Sequence, residues 1–115
     1  AIAEAESYNG PSLIIAYAPC INHGIRGGMK TGIEEQKLAV QSGYFPIFRY
    51  DSITNEFHMD SKNVDFSLLD NFIENETRFR ALKIVNEEKA EKLFDELKKD
   101  VKDRFDYYKN LEITK

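Results

Sequence analysis

SLIIAYAPCINHGIRGGMKTG, residues 12–32, is the stretch around which the rest of the chain is read. A nearly continuous apolar run, residues 12–18, stops at Pro19, and the single cysteine, Cys20, follows at once. Asn22 and His23 come next, in a loop with glycines at 24, 27, 28 and 32. Apolar runs without alternation belong to strands covered on both faces, as in parallel sheets. The expectation is therefore an α/β fold in which this strand carries Cys20 and His23 to its C-terminal end. Open α/β sheets place their ligands there.

Outward from this stretch, residues 1–8 read as the tail of a helix, with Ile2, Ala5 and Tyr8 on one face. Asn9-Gly10-Pro11 ends it, Gly10 serving as a left-handed cap and Pro11 blocking continuation. Residues 33–42 form a second helix, with Ile33, Leu38, Ala39 and Val40 inward and Gly43 closing it. Residues 44–50 read as a strand at an edge or starting after Pro46, which has no N–H to give a ladder. Residues 51–63 are a polar loop with a short hairpin at 57–59. Asp65 caps a helix over 66–74, with Phe66, Leu69, Phe72 and Ile73 inward. A short helix follows at 77–82. Asn86 then caps the longest helix, to about residue 111. Its inner stripe is Ala90, Leu93, Phe94, Leu97, Val101, Phe105 and Tyr108, at steps of three and four. Its outer face offers Glu88 with Lys92, Asp95 with Lys99 and Asp100 with Arg104, four apart and worth about 0.2–0.5 kcal/mol each.

The chain has 115 residues, enough for one domain or less, and is 42% hydrophobic and 31% charged. A net charge of −4 argues against a nucleic-acid or anionic-membrane partner. The apolar runs fall far below the roughly 18 residues that mark a membrane span. AIAEAESY at the start is acidic and lacks the basic region of a signal peptide. One cysteine makes no internal disulfide, so a reducing cytoplasm is the expected compartment. The chain opens on Ala1 inside a helical pattern, which suggests a piece of something larger.

Several side chains carry chemistry in principle. Read alone, Cys20 fits a small buried hydrophobe or one ligand of a metal centre. A [4Fe–4S] centre commonly takes four thiolates, so this chain cannot hold one by itself. His23 lies three residues on and could lower a thiol pKa, but no third group to orient a Cys–His pair is visible. A histidine that hydrogen-bonds its own loop is the plainer reading. The glycine loop at 24–31 resembles a phosphate cradle, yet Met29 stands where a P-loop needs glycine before its lysine. Arg26 and Lys30 are then solvated, or offset nearby negative charge. His58, between Glu56 and Asp60, reads as part of a solvated turn. Asn22, His23, Arg26, Lys30 and His58 receive no chemical role.

YNGPSLIIAYAPCINHGI at 8–25 and EEQKLAVQSGYFPIFRYD at 34–51 resemble the end of the thiamin-diphosphate domain of the pyruvate:ferredoxin (flavodoxin) oxidoreductases. The resemblance continues more loosely through RFRALKIVNEEKAEKLFDELKKDVKDRFDYYKNL at 78–111. It implies an incomplete portion of a thiamin-diphosphate-binding α/β fold with few strands and a helical C-terminal tail. Residues 1–50 would be the end of that domain, with the cluster-ligand loop, and residues 51–115 its mainly helical extension. The family oxidises pyruvate with coenzyme A to acetyl-CoA and CO2 and passes electrons to ferredoxin or flavodoxin. Its cofactors are [4Fe–4S] clusters, thiamin diphosphate and Mg, and its enzymes are homodimers. By this resemblance Cys20 matches the remote fourth ligand of the proximal [4Fe–4S] cluster, whose other three cysteines lie in an earlier domain. The thiamin and magnesium motifs lie upstream, so none is expected here. The segment alone is expected to be inactive and cofactor-free. Two other readings remain: a small binding or interaction module with a structural cysteine, and a segment of another 2-oxoacid:ferredoxin oxidoreductase.

Overall fold

The computed structural model describes residues 1–113. Helix α1, Ile2–Ser7, precedes an extended segment and a loop with two 3-10 turns, Ile21–His23 and Met29–Thr31. Helix α2 spans Gly32–Gln41. Strands β1, Phe48–Asp51, and β2, Glu56–Met59, form an antiparallel hairpin. Helices α3 (Leu69–Asn75), α4 (Thr77–Val85) and α5 (Glu87–Ile113) complete the chain. The result is a small mixed α/β unit with five α-helices, a two-stranded sheet and a long helical tail. Among the described residues no helix is long and apolar enough to cross a membrane.

Local chemistry explains most boundaries. Gly43, at φ +78°, ends α2 in the left-handed conformation that glycine adopts without strain. Strand β1 starts after the buried Pro46, as the missing N–H requires. Asp51 Oδ1 accepts the backbone N–H of Ile53 at 2.8 Å and shapes the hairpin turn. The register pairs Phe48 with Met59 and Tyr50 with Phe57. Asp65 accepts the N–H of Ser67 at 2.9 Å and opens a 3-10 turn, Phe66–Leu68, that leads into α3. Asn86 accepts the N–H of Lys89 at 2.9 Å and caps α5.

The core joins α2, α3, α4 and α5. Ala39, Leu69, Phe72, Ile73, Ala90, Phe94 and Val101 are buried together, with Tyr17, Tyr44, Phe66 and Phe79 packed against them. Phe72 is the hub, 4.4 Å centroid to centroid from Tyr44 and 6.2 Å from Phe79. The hairpin rests on the far end of α5, where the Phe48 ring lies 4.8 Å from Tyr108 and 5.0 Å from Phe57.

The structure corrects several expectations. Residues 12–18 form no strand, and Leu13 is 85% exposed. A strand buried on both faces needs flanking strands to take its N–H and C=O groups and apolar layers to cover it. Among the described residues the only sheet is the hairpin, which lies elsewhere. Gly10 is not left-handed, because Tyr8 already leaves the helix in an extended conformation. Ile33 is 67% exposed, since the inner stripe of α2 runs through Gly32, Glu35 and Ala39. Leu93 is likewise exposed, on the rim of the α5 stripe. Lys98, not Lys99, reaches Asp95, and it also pairs with Asp70 at 2.6 Å. Arg104 donates to the carbonyl of Tyr44 at 2.5 Å, a tertiary contact in place of the expected helical pair. Glu88 and Lys92 do pair, at 3.2 Å.

Candidate functional site

Cys20 is exposed and sits at the entry to the Ile21–His23 turn. Its backbone N–H donates to His23 Nδ1 at 3.4 Å, and the His23 N–H donates to the Cys20 carbonyl at 2.9 Å. The two residues singled out in the sequence are therefore together, but the histidine ring meets the cysteine's backbone. With Nδ1 accepting a hydrogen bond, the neutral ring carries its proton on Nε2. This is the loop-binding histidine, not a Cys–His nucleophile pair.

The loop closes on the junction between α3 and α4. Gly24, left-handed at φ +65°, presents its carbonyl to Thr77, which donates its N–H at 3.0 Å and its hydroxyl at 2.8 Å. Arg26 N–H donates to the carbonyl of Asn75 at 2.7 Å, and Ile25 and Glu76 form an isolated antiparallel bridge. Gly27 packs closely against Thr31, where an added Cβ would lie 2.6 Å from the hydroxyl, and Gly28 is open. Around Gly28 an added Cβ would meet nothing within 4 Å. Thr31 folds its hydroxyl back on the Gly28 carbonyl at 2.8 Å, so this loop does not spread its N–H groups as a P-loop does.

Behind Cys20 lies a buried polar cluster. Glu76 Oε1 accepts the Tyr17 hydroxyl at 3.3 Å, and Oε2 accepts Arg78 Nε. Glu76 Oε1 stands 3.9 Å from His23 Nδ1. Glu35, from α2, accepts Asn75 Nδ2 at 3.1 Å, and its carboxyl group lies close to that of Glu76. Burial, and then the neighbouring Glu76, push the Glu35 carboxyl above its ordinary range against the opposing Asn75 hydrogen bond. Burial and Glu76 likewise raise the Tyr17 phenol well above its usual range, which keeps it a donor. Burial opposes the charge of Arg78, but its hydrogen bond and attraction to Glu76 outweigh that and hold the guanidinium more firmly protonated. A cleft of about 550 Å³ opens beside the cluster, lined by residues that include Arg26, Thr31, Glu35 and Gln41.

Sequence reasoning passed over Glu35, Glu76, Tyr17 and Arg78. One signal was available: Glu35 lies on the same helical stripe as Ala39, a core position that a solvated glutamate would not share. His58 lies apart, on β2, 3.2 Å from Glu112 and 3.5 Å from Asp60. Among the described residues no group of three or more His, Cys, Asp and Glu side chains is arranged to hold a metal ion.

No family model matches the chain. It is 47% identical over 116 residues to "Pyruvate:ferredoxin oxidoreductase" of Moorella thermoacetica. It is 44% identical to "Pyruvate-flavodoxin oxidoreductase" of Enterobacter agglomerans, and 37% identical to "Pyruvate dehydrogenase [NADP(+)], mitochondrial" of Euglena gracilis. Each match takes in 96% of this chain. The chain spans 10% of the length of the first two relatives and 6% of the third. By sequence, the chain is thus a homologue of one segment of the pyruvate:ferredoxin and pyruvate-flavodoxin oxidoreductases.

Proposed function

We propose that the chain serves as part of a pyruvate oxidoreductase in which Cys20 gives one thiolate to a [4Fe–4S] cluster. The observation that carries this reading is the 47% identity over 116 residues, a match that takes in 96% of the chain. The exposed thiol agrees with it. The parent enzyme joins pyruvate and coenzyme A to give acetyl-CoA and CO2, and an electron pair leaves for ferredoxin or flavodoxin. Thiamin diphosphate with Mg supplies the carbanion chemistry when bound, and the clusters carry the electrons. Within that division of labour this chain's residues position rather than react. Residues 1–50 end the thiamin-diphosphate domain, and residues 51–115 are its mainly helical extension. The parent is a cytoplasmic homodimer, and the remaining domains supply the other three cluster cysteines and the thiamin and magnesium ligands.

The test is turnover by the full-length protein containing this segment. Pyruvate- and coenzyme A-dependent reduction of ferredoxin or flavodoxin is expected. The isolated segment should show no turnover and no magnesium-dependent binding of thiamin diphosphate in a calorimetric titration. A full-length protein that holds its cofactors but turns over a different 2-oxoacid and not pyruvate would contradict the substrate assignment. Tight thiamin diphosphate binding by the segment alone would contradict the division of labour.

A further inference from the structure

Glu76 grips both arms of the loop that presents Cys20. Through its backbone it bridges to Ile25, five residues beyond the cysteine, while its neighbours Asn75 and Thr77 hold Arg26 and Gly24. Through its side chain it accepts the hydroxyl of Tyr17, three residues before the cysteine. A carboxylate that is 0% exposed is a costly way to fill a core position, because its desolvation amounts to several kcal/mol before partners repay it. Here the partners are complete: Tyr17, Arg78 and the carboxyl of Glu35, itself 2% exposed. Glu76 pairs with the Arg78 guanidinium, and Oε1 of Glu35 is left without a partner beside it.

We infer that Glu76 is the positioning residue for Cys20: it fixes the cysteine loop from both sides and sets a buried carboxylate against His23, whose ring holds the backbone of the cysteine. The inference rests on the reading of Cys20 as a cluster ligand. It names a residue outside the ligand set that governs the geometry and potential of the centre. Glu35 completes the anchor by accepting Asn75 beside Glu76, so an amide, which keeps that acceptor, should replace it.

The test uses the full-length oxidoreductase with three variants: Cys20→Ala, Glu35→Gln, and Glu35→Gln with Glu76→Gln. The double variant removes both carboxyl groups of the buried pair. Each is read by iron content and by a redox titration followed by electron paramagnetic resonance. Glu35→Gln should leave every midpoint potential as in the parent. The double variant should shift one cluster to a more positive potential and alter its line shape, with the other clusters unchanged. A double variant with parental potentials and line shapes, alongside a Cys20→Ala enzyme that lacks a cluster, would overturn the role of Glu76 and leave the ligand reading standing. A Cys20→Ala enzyme with every cluster intact would remove the ligand reading itself. Should the double variant not accumulate, Tyr17→Phe removes one hydrogen bond to Glu76. One cluster should then lose iron to a chelator several-fold faster, and an unchanged rate would overturn the inference.

Discussion

Thr77 donates both its backbone N–H and its hydroxyl to the carbonyl oxygen of Gly24, at 3.0 and 2.8 Å. This pair of hydrogen bonds is possible only because position 24 has no side chain. A Cβ there would lie 2.6 Å from Thr77 Cβ, and the backbone is left-handed at φ +65°. Gly24→Ala should therefore cost about 2 kcal/mol or more, from backbone strain and overpacking together. Denaturant unfolding at neutral pH measures it. A loss within about 0.5 kcal/mol, the range of an indifferent surface change, would show that the contact is dispensable.

The helices were legible because their signals are local. Asp65 and Asn86 sit where caps are required, and Leu69, Phe72 and Ile73 recur at helical spacing before they meet one core. Pro46 placed the start of β1 for the same reason. The segment 12–18 was misread because its apolar run signals burial without naming the partner that buries it. The Cys20–His23 contact followed from their spacing. The buried set of Tyr17, Glu35, Glu76 and Arg78 was not legible as a set, since it joins residues as much as 61 positions apart; only the place of Glu35 on the stripe of Ala39 signalled burial of a charged member.

Glu35 gives the unit a pH signature. Burial raises its carboxyl above the ordinary value of 4.5, with the Glu76 carboxylate adding to the shift. The folded state then binds a proton more tightly than the unfolded one. The stability this contributes is complete below about 4.5 and is lost as pH rises through the folded value. Glu35→Gln keeps the acceptor for Asn75 without titrating. Its advantage over the parent should grow as pH rises from 4.5, as read from denaturant midpoints across a pH series. Parallel curves for the two proteins would contradict the assignment.

Phe72 is fully buried at the meeting of Tyr44 and Phe79. Phe72→Ala should cost about 3–5 kcal/mol, from lost burial and the cavity left behind. That is a large share of the roughly 5–15 kcal/mol typical of a domain. A denaturation midpoint displaced by less than about 1 kcal/mol would mean that the core does not centre on this ring.

Leu13, Ile14 and Ile15 present consecutive exposed apolar side chains on a backbone outside any sheet. Such a segment invites pairing with another copy. The isolated chain should self-associate as concentration rises, and Leu13→Lys with Ile15→Lys should suppress this. Light scattering decides the matter, and a monomer maintained at high concentration by the unmodified chain would count against it.

The measurement that bears most directly on Cys20 is the iron content and electron paramagnetic spectrum of the full-length oxidoreductase carrying Cys20→Ala. Loss of a single [4Fe–4S] signal with its iron, and unchanged thiamin diphosphate binding, is the predicted result. A parental iron count with every cluster signal intact would contradict the assignment of Cys20 as a ligand.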